Sequence, residues 1–309
     1  MKNIIITLVI IVLIAAGAYF YLQSSQTPSA SLPDVSVPTT ETPTSTAPTT
    51  TESMASTTVM QYQEETVIGK SVEGRDITAY HYGTGTDELL FVGGIHGGYE
   101  WNTTLVAYEL IDYLKADPSV IPSNVTVTVI PALNPDGLYK TVGKEGRFTK
   151  ADVPRALEET IPGRFNANDV DLNRNFDCDW QAQGVWQNKD VSGGAKAFSE
   201  PESLAVRDYV TSHTITAAVV FYSAAGGVFA SNCHDGVLPE TTTLTDLYAN
   251  ASLYKAYESF DFYTVTGDMV NWLAKEKVPA ISVLLTNHTD TEWTKNQKGI
   301  DAVLKHYAK

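Results

Sequence analysis

The sequence predicts an α/β fold: a mixed, largely parallel twisted sheet with helices on both faces, carried by residues 61–309. Three observations predict it. Short apolar runs such as ELLFVGGI, ITAAVVFYSA and PAISVLLTN read as strands buried on both faces. Segments such as EWNTTLVAYELIDYLKAD place apolar residues at helical spacing. The two kinds alternate along the chain, which is the pattern of a sheet covered by helices. Roughly 250 residues suffice for one such domain.

Taken in order, the chain opens with MKNIIITLVIIVLIAAGAYFYL, uncharged from Ile4 to Leu22. That is about the length of a membrane-spanning helix. Lys2 precedes it and no positive charge follows closely, so the amino terminus is expected inside and the rest outside the cell. Residues 1–22 thus read as a single-pass signal-anchor. A cleaved signal peptide, giving a secreted protein, is the rival, although no clear small-residue cleavage site follows. Residues 23–60 are dominated by Ser, Thr, Pro and Ala and predict a disordered linker that spaces the domain from the membrane.

Within the domain, ETVIGKSVEGRDITAYHYG alternates around a Glu-Gly turn and predicts a hairpin. ELLFVGGI is a strand and the following EWNTTLVAYELIDYLKAD a helix. NVTVTVIPALNPDG is a strand ending in a turn. SEPESLAVRDYVTSH predicts a helix opened by a Ser cap with Pro in the first turn. ITAAVVFYSA is a strand, TGDMVNWLAKEKV a helix, PAISVLLTN a strand and DTEWTKNQKGIDAVLKHYAK a closing helix. Ligands of such sheets gather at the carboxyl ends of the strands.

The formal net charge of −15 argues against nucleic acid as a partner. The two cysteines, Cys178 and Cys233, admit one disulfide in an oxidising compartment or two buried free thiols. Ser223 lacks a G-x-S-x-G elbow, so nothing supports a serine hydrolase.

His96 and Glu100 stand in GGIHGGYEWN at the end of a predicted strand. Alone, such a pair can serve the backbone and the helix start. It is followed in order by ALNPDG (Ala132 to Gly137), DVDLNRNFD (Asp169 to Asp177), VTGDMVNW (Val265 to Trp272) and a strand ending in SVLL. Together these resemble the zinc carboxypeptidase family, the metallocarboxypeptidases of the carboxypeptidase A, B and T type, over essentially all of residues 61–309.

The resemblance implies that fold, a zinc ion, and peptide C-termini as ligands. It places His96 and Glu100 as the first two metal ligands. Asp171 would orient the ligand histidine by accepting from its far ring nitrogen. Asn173 and Arg174 would grip a terminal carboxylate, which suits a guanidinium fork; a structural ion pair is the other reading of Arg174. Tyr263, nine residues before Trp272, would close over the bound terminal residue, and Val270 would line an apolar side-chain pocket. Arg147 is the candidate for polarising the scissile carbonyl.

The departures are equally specific. Three residues rather than two separate His96 from Glu100, which a one-residue loop insertion absorbs. The third ligand position, just before Ser223, holds Tyr222, and the general-base position holds Leu284. A catalytic zinc has three protein ligands and a water. A tyrosine ligates only after losing a proton whose free pKa is about 10. Leucine accepts no proton, and general-base help is worth about 10²–10⁴ in rate. His288 is a candidate substitute base and His234 a candidate substitute ligand; surface-loop histidines are the alternative for both.

Two functions follow as expectations. One is a membrane-tethered peptide hydrolase acting outside the cell on the C-terminal ends of peptides or cell-wall peptides. The other is a non-catalytic module that binds such ends, with zinc held weakly or not at all. A structural surface domain is a third.

Overall fold

The computed structural model describes residues 65–309. The predicted membrane span (1–22) and linker (23–60) lie outside the described residues. Among the described residues no helix is long and apolar enough to cross a membrane.

The predicted hairpin forms β1 (Glu65–Lys70) and β2 (Asp76–Gly83), paired antiparallel. Gly74, at φ +85°, supplies the left-handed residue of the turn. β3 (Asp87–Val92), β4 (Val125–Ile130), β7 (Ile215–Ser223) and β10 (Ala280–Leu285) are the apolar strands. With β8 (Gly227–Ala230) and β9 (Lys255–Tyr257) they complete an eight-stranded sheet in the order β1-β2-β4-β3-β7-β10-β8-β9.

β4, β3, β7 and β10 run parallel at the centre. Parallel pairing, predicted from sequence, thus holds through the middle and recurs at one edge, where β8 and β9 run parallel. β1–β2, β2–β4 and β10–β8 are antiparallel. Tight turns after β1, β2 and β7 each reverse the chain, so β1 and β2 pair antiparallel, and β2 and β8 run against β4 and β10, the parallel partners of β3 and β7. β5 (Gln183–Trp186) and β6 (Lys189–Ser192) form a separate small hairpin.

Alternate residues of the central strands feed two cores, one on each face. Leu89, Phe91, Val219, Phe221, Ile281 and Val283 pack with apolar residues of α1 (Trp101–Ala116), α5 (Pro239–Ser252) and α7 (Trp293–His306). Leu90, Val92, Ala218, Val220, Tyr222 and Leu284 share the other core with α4 (Pro201–Ser212) and α6 (Met269–Lys275). Helices thus cover both faces, as predicted.

Two local expectations are corrected. NPDG is not only a turn: it opens α2 (Pro135–Val142), with Asn134 Oδ1 capping the N–H of Gly137 at 2.8 Å and Pro135 at the first position. α4 is not capped by Ser199. Glu200 holds the N-cap position without a side-chain cap bond, and Ser199 donates to its carboxylate. A short helix, α3 (Leu157–Thr160), and the longer α5 have no counterpart in the sequence reading.

Candidate functional site

A cleft of about 880 Å³ opens at the carboxyl ends of β3, β7 and β10. Its first wall is built from loops. After β3 the chain turns, with the N–H groups of Tyr99 and Glu100 both donating to the His96 carbonyl. That turn brings His96 and Glu100 side by side despite the extra residue, with His96 Nδ1 2.9 Å from Glu100 Oε1. The turn needs its glycines. A Cβ on Gly97 (φ +44°) would stand 2.6 Å from the Gly163 carbonyl oxygen, and one on Gly98 would meet Thr141 Oγ1 at 1.9 Å. The Gly98 N–H also donates to the Gly163 carbonyl. The metal-motif turn, α2 and the Gly163–Arg164 loop are therefore locked together.

That loop delivers Arg164, which the sequence reading missed. Its Nε and Nη2 donate to Asp171 Oδ2 at 3.0 and 2.8 Å, and its Nη1 lies 3.7 Å from Glu100 Oε1. The guanidinium sits 4.4 Å above the Trp186 ring, a favourable cation–π geometry. Arg147, the residue expected in this role, lies elsewhere. It is half exposed, paired with Asp112 through both terminal nitrogens, and does not line the cleft. The available signal was GRFN, which places Arg164 seven residues before Asp171.

Asp171 is wholly buried. Burial pushes its carboxyl up, but Arg164 and then His96 overcome this and hold it well below the usual carboxylate range. Its Oδ1 accepts from the Asn173 N–H and lies 3.4 Å from His96 Nε2. Glu100 is also buried. Burial pushes it up, and His96, with Arg164 behind, brings it below the ordinary glutamate value. Glu100 Oε2 accepts from the Ser223 N–H at 3.0 Å, so the carboxylate ties the β3 loop to the end of β7 and does not cap α1.

Asn173 and Arg174 follow on a short 3₁₀ turn. Arg174 donates through Nε and Nη2 to the Val185 carbonyl and through Nη1 to the Asn173 carbonyl. No carboxylate pairs with it among the described residues, so the structural ion pair considered from sequence is not formed. One N–H on each terminal nitrogen is left for a ligand. Tyr263 stands with its ring centroid 5.9 Å from the Arg174 guanidinium, and Val270 lines the cleft nearby.

The second wall is made of strands. Tyr222 on β7 and Leu284 on β10 are register partners, both buried, both facing the cleft. The Tyr222 hydroxyl donates to Asn173 Oδ1 at 3.2 Å, and its ring centroid is 5.7 Å from that of His96. Burial, reinforced by Asp268 and Glu100, pushes its hydroxyl well above the ordinary tyrosine value, so it keeps its proton. Asp268, whose carboxyl burial also pushes up, accepts from the Asn173 side chain and caps α6.

His288 lines the cleft mouth, its ring 4.5 Å from that of Tyr99 and its Nδ1 buried without a partner. It is a cleft residue, not a surface-loop one. Burial pushes its pKa down, which keeps it neutral. His234 does not reach the cleft; it is exposed and paired with Asp179. Cys178 and Cys233 form a disulfide with Cα atoms 6.1 Å apart. Of the two readings left open by sequence, the disulfide is the one formed.

The donor set can be tested against a zinc ion. Both ring nitrogens of His96 are buried and neither has a partner in hydrogen-bonding geometry, although Nδ1 and Glu100 Oε1 converge. Two donors are therefore in place. The third position holds a phenol whose hydroxyl donates to Asn173 Oδ1 and does not turn toward His96 and Glu100 as a third donor. Among the described residues the one grouping of three or more metal-ligating side chains is Cys178, Cys233 and His234, and its sulfurs are spent in the disulfide. The set does not fit a firmly held catalytic zinc.

Comparison with known proteins places the chain in a family. A family profile described as zinc carboxypeptidase matches residues 53–300. Carboxypeptidase M of Mus musculus is 27% identical over 190 residues, covering 57% of this chain and 37% of that protein. Carboxypeptidase B of Astacus astacus is 29% identical over 152 residues, covering 46% of this chain and 48% of that protein. The chain thus spans less than two-thirds of the length of these relatives. Among solved structures, bovine thrombin-activatable fibrinolysis inhibitor superposes with a TM-score of 0.63 at 17% identity, over 79% of this chain and 89% of that one. Murein-tripeptide amidase from Escherichia coli O157 superposes with a TM-score of 0.58 at 19% identity, over 80% and 94%. At these identities the superpositions establish a shared fold.

Proposed function

The chain belongs to the zinc carboxypeptidase family, and from that premise we propose that it binds the C-terminal ends of peptides, cell-wall peptides among them, without cutting them at an enzymatic rate. The observation that carries this is the contrast within the cleft. The groups that would hold a terminal carboxylate and the adjacent carbonyl, Arg174 and Arg164, face it, while Tyr222 and Leu284 stand where a third ligand and a base are expected. In this reading Arg174 takes the carboxylate by two parallel hydrogen bonds. Arg164, held by Asp171, offers Nη1 to the last peptide carbonyl. Tyr263 covers the terminal residue and Val270 contacts its side chain.

Cell-wall peptides enter the proposal because a murein-tripeptide amidase shares the fold. Tethering by residues 1–22, with the domain outside the cell, is part of the same proposal. The apolar span and the Cys178–Cys233 disulfide, a bond of oxidising compartments, support it.

Hydrolysis is the second reading. It is favoured by the intact His96–Glu100–Asp171–Arg164 cluster and by neutral His288 at the cleft mouth. The binding reading is tested by calorimetry on residues 61–309, comparing a peptide acid with its C-terminal amide. The acid is expected to bind at least about tenfold more tightly, and Arg174→Ala to remove about 2–5 kcal/mol of that binding. Equal affinity for acid and amide sinks the proposal.

A further inference from the structure

Tyr222 has so far been read as a loss, a ligand position that no longer ligates. Its hydroxyl is nevertheless engaged. It donates to Asn173 Oδ1 at 3.2 Å, and the Met269 N–H donates to the same oxygen at 3.1 Å. Those two bonds occupy both lone pairs of the amide oxygen. On the other side Asn173 Nδ2 donates to Asp268 Oδ2 at 2.9 Å, which leaves one N–H on that nitrogen. A flipped amide would set its nitrogen against the Met269 N–H and its oxygen against the Asp268 carboxylate. The orientation is therefore single, and Tyr222 braces it from the cleft side. The Asn173 carbonyl in turn receives Arg174 Nη1 at 2.7 Å, so the braced residue also seats the guanidinium.

From this we infer that Tyr222 is a positioning residue of the carboxylate grip: through Asn173 it aims the N–H groups that meet a ligand's terminal carboxylate. The inference rests on the peptide-end reading above and adds the role of one side chain to it. Only a side chain of tyrosine's reach serves. An imidazole at position 222 is shorter than a phenol and lacks the hydroxyl that donates to Asn173 Oδ1, so metal ligation and bracing compete for one residue. Leu284, the register partner of Tyr222, supplies the apolar flank against which the ring is held.

The test uses the chelator-treated domain, an N-acetylated peptide acid and its C-terminal amide, measured by calorimetry. Tyr222→Phe keeps the ring and removes the oxygen. The acid is expected to bind about three- to tenfold more weakly, as for loss of one hydrogen bond, with amide binding unchanged. In an Asn173→Ala background the same substitution should have no further effect, since the brace acts only through that amide. An acid-to-amide ratio in Tyr222→Phe equal to wild type overturns the inference, as does an undiminished effect of Tyr222→Phe without Asn173. Tyr222→His is the second variant should the first not fold; loss of acid preference is expected, and wild-type preference refutes the brace. If wild type itself ignores the terminal carboxylate, the peptide-end reading has failed and the brace falls with it. If wild type discriminates and both Tyr222 variants do so equally, the brace alone has failed.

Discussion

The two walls of the cleft are built on different terms. On the loop wall the charged groups are interlocked: Asp171 answers Arg164, Glu100 answers the end of β7, and Asn173 joins Asp171 to Asp268. Removing one member strands a buried charge. On the strand wall Tyr222 and Leu284 are continuous with the apolar core beneath them. An apolar substitution there extends an existing core and adds roughly 1.5–3 kcal/mol of burial for a leucine-sized group. The difference is one of coupling: the loop wall carries charged groups that depend on one another, while the strand wall holds apolar and aromatic ones. Chemistry carried by an interlocked network resists piecemeal change, and chemistry carried by single side chains on a core-facing strand does not.

The largest effect should come from breaking the loop wall. Asp171→Asn removes the carboxylate that the buried Arg164 guanidinium grips through two nitrogens, leaving it only the longer 3.7 Å contact to Glu100, and is expected to cost about 3 kcal/mol in a denaturant titration. Leu284→Ala on the strand wall should cost about 2 kcal/mol, the low end for leucine, because the site borders the open cleft. If Asp171→Asn proves the milder of the two, the contrast between walls is wrong.

The same contrast has a pH dependence. Asp171 and Glu100 are held below their unfolded values, so their stabilisation is present above about pH 4 and is lost as pH falls further. Asp268 is shifted upward and works in the opposite direction, regaining stability as it takes up a proton. His288, whose pKa burial lowers, should cost a little stability as pH falls below about 6.5, and the loop-wall pair should prevail below about pH 4, where denaturant midpoints fall more steeply. A midpoint that rises on acidification would mean Asp268 dominates.

How much of this was legible beforehand depended on whether the information was contiguous. His96, Glu100, Asp171, Asn173 and Arg174 sit in short motifs, and the structure sets four of them on one cleft with Asp171 buried behind. Arg164 comes from a loop with no periodic pattern, and its place follows from glycine contacts that only the folded chain reveals. The central strands were readable because they are apolar on both faces. α5 was not, because half its buried face is Thr241, Thr245 and Ser252 rather than aliphatic side chains. The antiparallel pairs flanking the centre followed from short turns whose consequence for strand direction the apolar pattern does not encode.

The central claim is that this cleft holds a peptide end and leaves it whole. Mass spectrometry of a peptide acid incubated with residues 61–309 in the presence of added zinc tests it most directly, with Glu100→Ala as the control. The account predicts intact peptide at both enzyme and control, at a turnover indistinguishable between them. A peptide shortened from its C-terminus by wild type at an ordinary enzymatic rate, and spared by Glu100→Ala, would contradict it and make His288 the first residue to examine as a base.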